Sequence, residues 1–265
     1  MYIERKFQLV NRLDRSDLAR GDRRIHYLHV PKCGGTTLRY VLEGFAATRG
    51  LTAANEARRI KGVAPEFGKA RVAMGHEFPP DGLNRDDTCY LTVLRDPVRR
   101  LRSLVGMLAE RDSLPPEDIA RNLTWKQANW AVHLLTGATG PEDGLVARAK
   151  DALENRVHVF GFQEDLNEFA ALLAATLEVD GVIFPSFQFT PNGLRVDDKF
   201  DSMFAAMATA DRELFDFAHA LYRERFASGV SPEDASRRLI GRNYLCIRIR
   251  AEDDHVDVSE VTFSA

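Results

Sequence analysis

Cysteine is scarce in this chain of 265 residues: Cys33, Cys89 and Cys246 make an odd number, with no C-x-x-C pair and no zinc-like spacing. That argues against a disulfide framework and against a metal site, and it reads as a reduced, intracellular protein. The N-terminal MYIERKFQLVNRLDRSDLARGDRR contains neither a signal-peptide core nor a membrane-length apolar run, so the expectation is a cytoplasmic protein without a membrane span. A strong charge of one sign is missing too. The net charge of −3 lacks the basic footprint that nucleic-acid binding leaves. Neither an internal repeat nor a low-complexity segment occurs. The remaining composition, 45% hydrophobic, suits one large α/β core better than two small ones.

The most informative stretch is His26 to Leu38, HYLHVPKCGGTTL. Ile25 to Val30 has the length and the β-branched or aromatic character of a buried strand, and Leu38, Tyr40, Val41, Leu42 and Phe45 then fall on one helical face. Between them, Gly34 and Gly35 let a backbone approach a ligand, and the new helix offers unpaired N–H groups and a positive dipole end. Pro31, Lys32, Cys33, Gly34, Gly35, Thr36 and Thr37 thus form a candidate phosphate-binding turn, with Lys32 as a point charge and the two threonines as hydroxyl donors. In the common nucleotide-triphosphate loop the lysine directly precedes the Ser or Thr that holds Mg²⁺. Here Lys32 comes before the glycine pair, four positions ahead of Thr36.

That order resembles the 5′-phosphosulfate loop of sulfotransferases that use 3′-phosphoadenosine 5′-phosphosulfate (PAPS). It is closest to the branch of heparan sulfate 2-O-sulfotransferase-like and other carbohydrate sulfotransferases. The resemblance implies a P-loop-containing nucleotide hydrolase-like, three-layer α/β/α fold with a mostly parallel central sheet. It covers roughly residues 25–228, leaving 1–24 as an N-terminal extension and 229–265 as a C-terminal extension packed on the same domain. Animal members of the branch carry a membrane anchor and act in the Golgi, so a chain without one points to a bacterial or otherwise cytosolic enzyme.

Further along, Ala70 to Met74 reads as a short strand ending at Gly75-His76-Glu77, where open α/β sheets collect active-site groups. MGHEFPPDGL resembles the family segment that supplies the general base, which makes His76 the leading candidate. Imidazole chemistry suits the role, because it titrates near neutral pH. Glu77 is the rival, although in an extended segment it points away from His76. Thr88 to Leu94 is the clearest strand, and it runs into Arg95-Asp96-Pro97, where Asp96 can cap a helix and Pro97 suits its first position. Leu101, Leu104, Val105 and Leu108 mark the buried face of that helix. Arg95, Arg99, Arg100 and Arg102 crowd its start, and such runs are most often solvated.

By the same resemblance, Arg95 and Ser103 bind the 3′-phosphate of the donor, and Arg195, in FTPNGLR, lies in the loop that closes over it. Trp125 to Gly137 reads as one amphipathic helix, whose Asn129 to Gly137 part resembles the Asn-rich helix that borders the acceptor, with His133 placed in the core or on the helix surface. Arg156 to Phe162 reads as a further strand, and Gln163 opens a helix. Residues 50–69 read as a helix and loop over the cleft, and the final HVDVSEVTF as an edge strand that folds back within the chain or pairs with a second subunit.

The implied reaction is in-line sulfuryl transfer from PAPS to an acceptor hydroxyl, on a glycan or glycolipid, with His76 as base, Lys32 on the leaving phosphate and no metal. Cys33 is not expected to act as a nucleophile. The alternatives are a P-loop kinase using ATP and Mg²⁺ on a small molecule, and a non-catalytic nucleotide-binding module.

Overall fold

The computed structural model describes residues 7–11, 23–55, 70–79, 82–84, 86–185, 196–226, 243–249 and 256–262. The described residues form an α/β structure with two sheets. It opens on β1 (Phe7–Asn11), which belongs to the second of them, and then enters the first. Strands β2 (Arg24–Leu28), β3 (Ala53–Asn55), β4 (Val72–Gly75), β5 (Thr88–Leu94) and β6 (Val157–Phe162) form a five-stranded, all-parallel sheet in the order β3-β4-β2-β5-β6. Every residue of β4 and β5 is buried, as expected of parallel strands covered on both faces.

Strand β7 (Gly181–Pro185) pairs antiparallel with β1 and parallel with β8 (Asn243–Ile249), and β8 pairs antiparallel with β9 (Val256–Thr262). The C-terminal segment expected as an edge strand is therefore one, and it pairs within the chain. The N-terminal segment likewise supplies a strand of this second sheet.

Helix α1 (Gly35–Thr48) packs on β3 and β4 of the parallel sheet and on β7, β8 and β9 of the other; α7 (Leu166–Thr176) packs on β6 and on β1 and β7. These two helices lie between the sheets. Gly161 in β6 admits the Phe169 ring of α7 where a Cβ would stand 2.6 Å from it. Helices α5 (Trp130–Thr136), α6 (Leu145–Asn155) and α9 (Thr209–Arg225) pack on one another and share the main core, with Leu214, Phe215, Ala218, Leu221 and Tyr222 facing inward. A smaller core joins α2 (Pro97–Asp112), α3 (Pro116–Arg121) and α8 (Asp201–Met207) through Leu101, Leu104, Val105 and Phe204.

Asp96 accepts a hydrogen bond from the Arg99 amide at 2.9 Å and Pro97 is the first residue of α2, as its sequence implies. Three local expectations are corrected. Trp125–Gly137 is not one helix but α4 (Trp125–Ala128) and α5, broken at Asn129. The buried Asn129 side chain donates to Trp125 and Met207 carbonyls and accepts from the Asp211 amide, and these bonds hold its backbone outside the helical basin. Gln163–Asp165 is a 3₁₀ turn that precedes α7. Within 50–69 the structure places the short strand β3, and residues 56–69 lie outside the described ones. Among the described residues no helix is long and apolar enough to cross a membrane.

Candidate functional site

After β2 the chain moves through α1 to β3 and β4 on one side of the sheet, whereas after β5 it moves to β6 on the other. The crevice at the C-terminal ends of β2 and β5 is thus the switch point at which open α/β sheets bind ligands. The ladder aligns Leu28 with Gly75 on one neighbour and with Thr92 on the other. Residues 29–34, His76 and Arg95 therefore emerge side by side, although far apart in sequence.

The turn from β2 into α1 is sharp. Lys32 (φ 70°) and Gly34 (φ 77°) both occupy the left-handed region, which is costly for a lysine and free for a glycine. Pro31 and Lys32 are half-buried, Thr36 is exposed on the first turn of α1, and Thr37 is buried. Burial, and next the charge of Arg95, push the Lys32 ammonium below its ordinary pKa. Cys33 is fully buried, with Sγ 3.8 Å from the Pro31 carbonyl. Burial pushes its thiol up to about 12 against the pull of Arg100 and Arg95, so any ligand contact from Cys33 is through its main chain. Gly35 has a different use from the expected one. A Cβ there would stand 1.5 Å from His29 Nε2, so the space its missing side chain leaves is filled by the His29 ring.

His76 is half-buried directly beyond β4. Its Nδ1 lies 2.7 Å from the His29 carbonyl. A carbonyl only accepts, so Nδ1 carries the proton and Nε2 is the basic nitrogen of the neutral ring. The His76 carbonyl in turn accepts from Trp130 Nε1 at 3.0 Å, and the His29 and His76 ring centroids are 4.1 Å apart. Glu77 is exposed and engaged elsewhere: both carboxylate oxygens accept from Lys126 Nζ, at 2.8 and 3.0 Å, and one lies 3.4 Å from His133 Nε2. Burial works against ionisation of Glu77, but the bonds and charges of Lys126 and His133 outweigh it and hold the carboxyl below its usual range. His133 itself is buried, with Nδ1 2.8 Å from the Ala138 carbonyl.

Arg95 is half-buried at the end of β5, and its Nη1 donates to the Lys32 carbonyl at 3.0 Å. Ser103 is half-buried on α2, and no hydrogen bond among the described residues joins it to Arg95. Arg195 lies outside the described residues.

Arg100 departs from the solvated reading of its cluster: it is 1% exposed. Its Nη2 donates to the Gln127 and Ala128 carbonyls and lies 3.5 Å from the Asp211 carboxylate, which also accepts from the Ala131 and Val132 amides. Arg100 Nε and Nη1 and Arg95 Nε have no hydrogen-bond partner among the described residues, and the two arginines line a small cavity with Val30, Leu94 and Phe215. Reading along the chain missed His29, Trp130, Asn129 and Asp211. For Arg100 a signal existed, since Pro97, Arg100, Leu104 and Leu108 fall on one inward stripe.

Among the described residues no cluster of three or more His, Cys, Asp or Glu side chains is arranged to hold a metal. Comparison with known proteins returns no matching family model and no matching curated protein.

Proposed function

We propose that this protein is a PAPS-dependent sulfotransferase with a P-loop-like α/β core, transferring a sulfuryl group to an acceptor hydroxyl of the carbohydrate or glycolipid kind. The observation that carries the reading is the convergence, at one switch point, of a left-handed Lys32–Gly34 turn opening α1, an arginine braced on that turn, and a histidine whose Nδ1–H is anchored. The N–H groups from Gly34 to Thr37 and the Lys32 ammonium suit the donor's 5′-phosphate, where negative charge grows as the sulfuryl group leaves. Arg95 suits the 3′-phosphate, with Ser103 and Arg195 as further contacts. His76 Nε2 would take the acceptor proton as the oxygen attacks sulfur in line with the leaving phosphate oxygen. The setting is a cytosolic enzyme working without a metal.

Calorimetry with 3′,5′-adenosine bisphosphate, and AMP and ATP plus Mg²⁺ as controls, tests the donor site. The expected result is selective binding of the bisphosphate, followed by transfer of label from PAPS to a hydroxyl acceptor. Preference for ATP with Mg²⁺ would instead indicate a kinase, and bisphosphate binding without any transfer would indicate a non-catalytic module.

A further inference from the structure

His29 stands between the two halves of this site and contacts both. On one side its ring occupies the notch at Gly35, the first residue of α1, where a Cβ would meet Nε2 at 1.5 Å. On the other its ring lies against His76, with centroids 4.1 Å apart and planes tilted by 34°. Its back is supported by Tyr27, stacked at 5.3 Å. Its main chain is bound twice to the strand that carries His76: the amide donates to the Gly75 carbonyl at 2.8 Å, and the carbonyl accepts from His76 Nδ1. The His29 ring thus links the α1 N-terminus to the His76 ring through direct contacts on both sides.

We propose that His29 is a positioning residue that couples the phosphate loop to the base, so that filling of the loop sets the orientation of His76. The proposal rests on the reading of His76 as the base. Burial, with the nearby His76, Arg39 and Lys32 charges, lowers the His29 pKa well below its ordinary value, which favours the neutral ring. A neutral, close-packed ring transmits position without competing for the acceptor proton.

The test uses the full chain labelled with ¹⁵N-histidine, His76 signals being assigned with His76→Asn and 3′,5′-adenosine bisphosphate serving as the probe. In the wild type, His76 should report Nδ1 protonated, and its ring shifts should respond to the bisphosphate. In His29→Ala the main-chain carbonyl that accepts from His76 Nδ1 remains, so the tautomer should persist, whereas the ring-shift response to the bisphosphate should vanish, with bisphosphate affinity retained. Turnover of His29→Ala should fall about 10- to 100-fold in kcat, as expected when a reacting group is misplaced by about an ångström. Gly35→Ala should lose bisphosphate binding because of its clash with His29, and His29→Ala/Gly35→Ala should recover it. An unaltered His76 ligand response in His29→Ala would overturn the coupling, as would failure of the double variant to recover binding while remaining folded. The shift and rescue measurements need no turnover. If they succeed in a protein that transfers no sulfuryl group, the coupling stands and the sulfotransferase reading falls.

Discussion

Arg95 Nη1 donates to the main-chain carbonyl of Lys32 at 3.0 Å, across 63 residues of sequence. The hydrogen bond spans the crevice between β2 and β5 and joins the two segments proposed to hold opposite ends of the donor. It also leaves Arg95 half-buried, with a preset direction, so less side-chain freedom is lost when an anion binds.

Replacing Arg95 with Ala should weaken binding of 3′,5′-adenosine bisphosphate by roughly 10- to 100-fold, the range for loss of a hydrogen bond to a charged group. Calorimetric titration of the variant measures this directly. An unchanged dissociation constant would remove Arg95 from the donor site.

His76 and Glu77 are adjacent, but their surroundings separate them. His76→Ala should lower turnover by about 10² or more with donor affinity nearly intact. Glu77→Gln should have a much smaller effect, because that carboxylate is engaged by Lys126 and held below the usual range, which makes it a weak base. Steady-state kinetics on the two variants decides between them, and the reverse ranking would transfer the role to Glu77.

The Arg100–Asp211 pair is 1% and 3% exposed and is a matter of stability rather than chemistry. Burial raises the Asp211 pKa even against Arg100 and two backbone N–H groups. Removing one partner leaves a buried uncompensated charge, so Arg100→Met and Asp211→Asn should each destabilise the fold by about 3 kcal/mol or more. The double substitution should cost clearly less than the sum, and urea denaturation of the three variants measures the coupling.

Acid should destabilise the protein before its carboxylates protonate. Burial, followed by the Arg24 charge, lowers His26 to about 4, and His29 lies well below its ordinary value. Unfolded histidines take up protons near pH 6.5, so below that the unfolded chain binds more protons than the folded one and stability rises with pH. The contribution is complete above about pH 6.5 and is lost as pH falls from there towards 4, amounting to about 3 kcal/mol at most for His26. Glu77 and Asp96, whose pKa values are lowered, add their loss only below the usual carboxylate range. Urea midpoints measured from pH 7 to 4 should fall through this interval, and His26→Phe should flatten the slope. A pH-independent midpoint down to 4.5 would contradict the buried-neutral assignment.

Local elements were legible in the chain itself because their causes are local. A short, nearly continuous apolar and β-branched run marks Thr88–Leu94, Asp96 and Pro97 start α2 through a side chain within one turn, and a 3.6-residue period marks the buried face of α9. The glycine pair was legible as a turn for the same reason. What the glycines make room for was not. Gly34 answers to its own backbone angle, but Gly35 answers to the His29 ring, and only packing shows which neighbour occupies the space. Arg100 and Asn129 look like surface residues in a charged, polar stretch, and they are buried where Asp211, from a helix about 80 to 110 residues later, turns a carboxylate and an amide towards them. The break between α4 and α5 has the same distant origin. Strand order is also beyond the reach of local pattern: pairing of β2 with both β4 and β5 is a choice among long-range hydrogen-bond ladders, and it alone brings His76 and Arg95 to the two sides of Lys32.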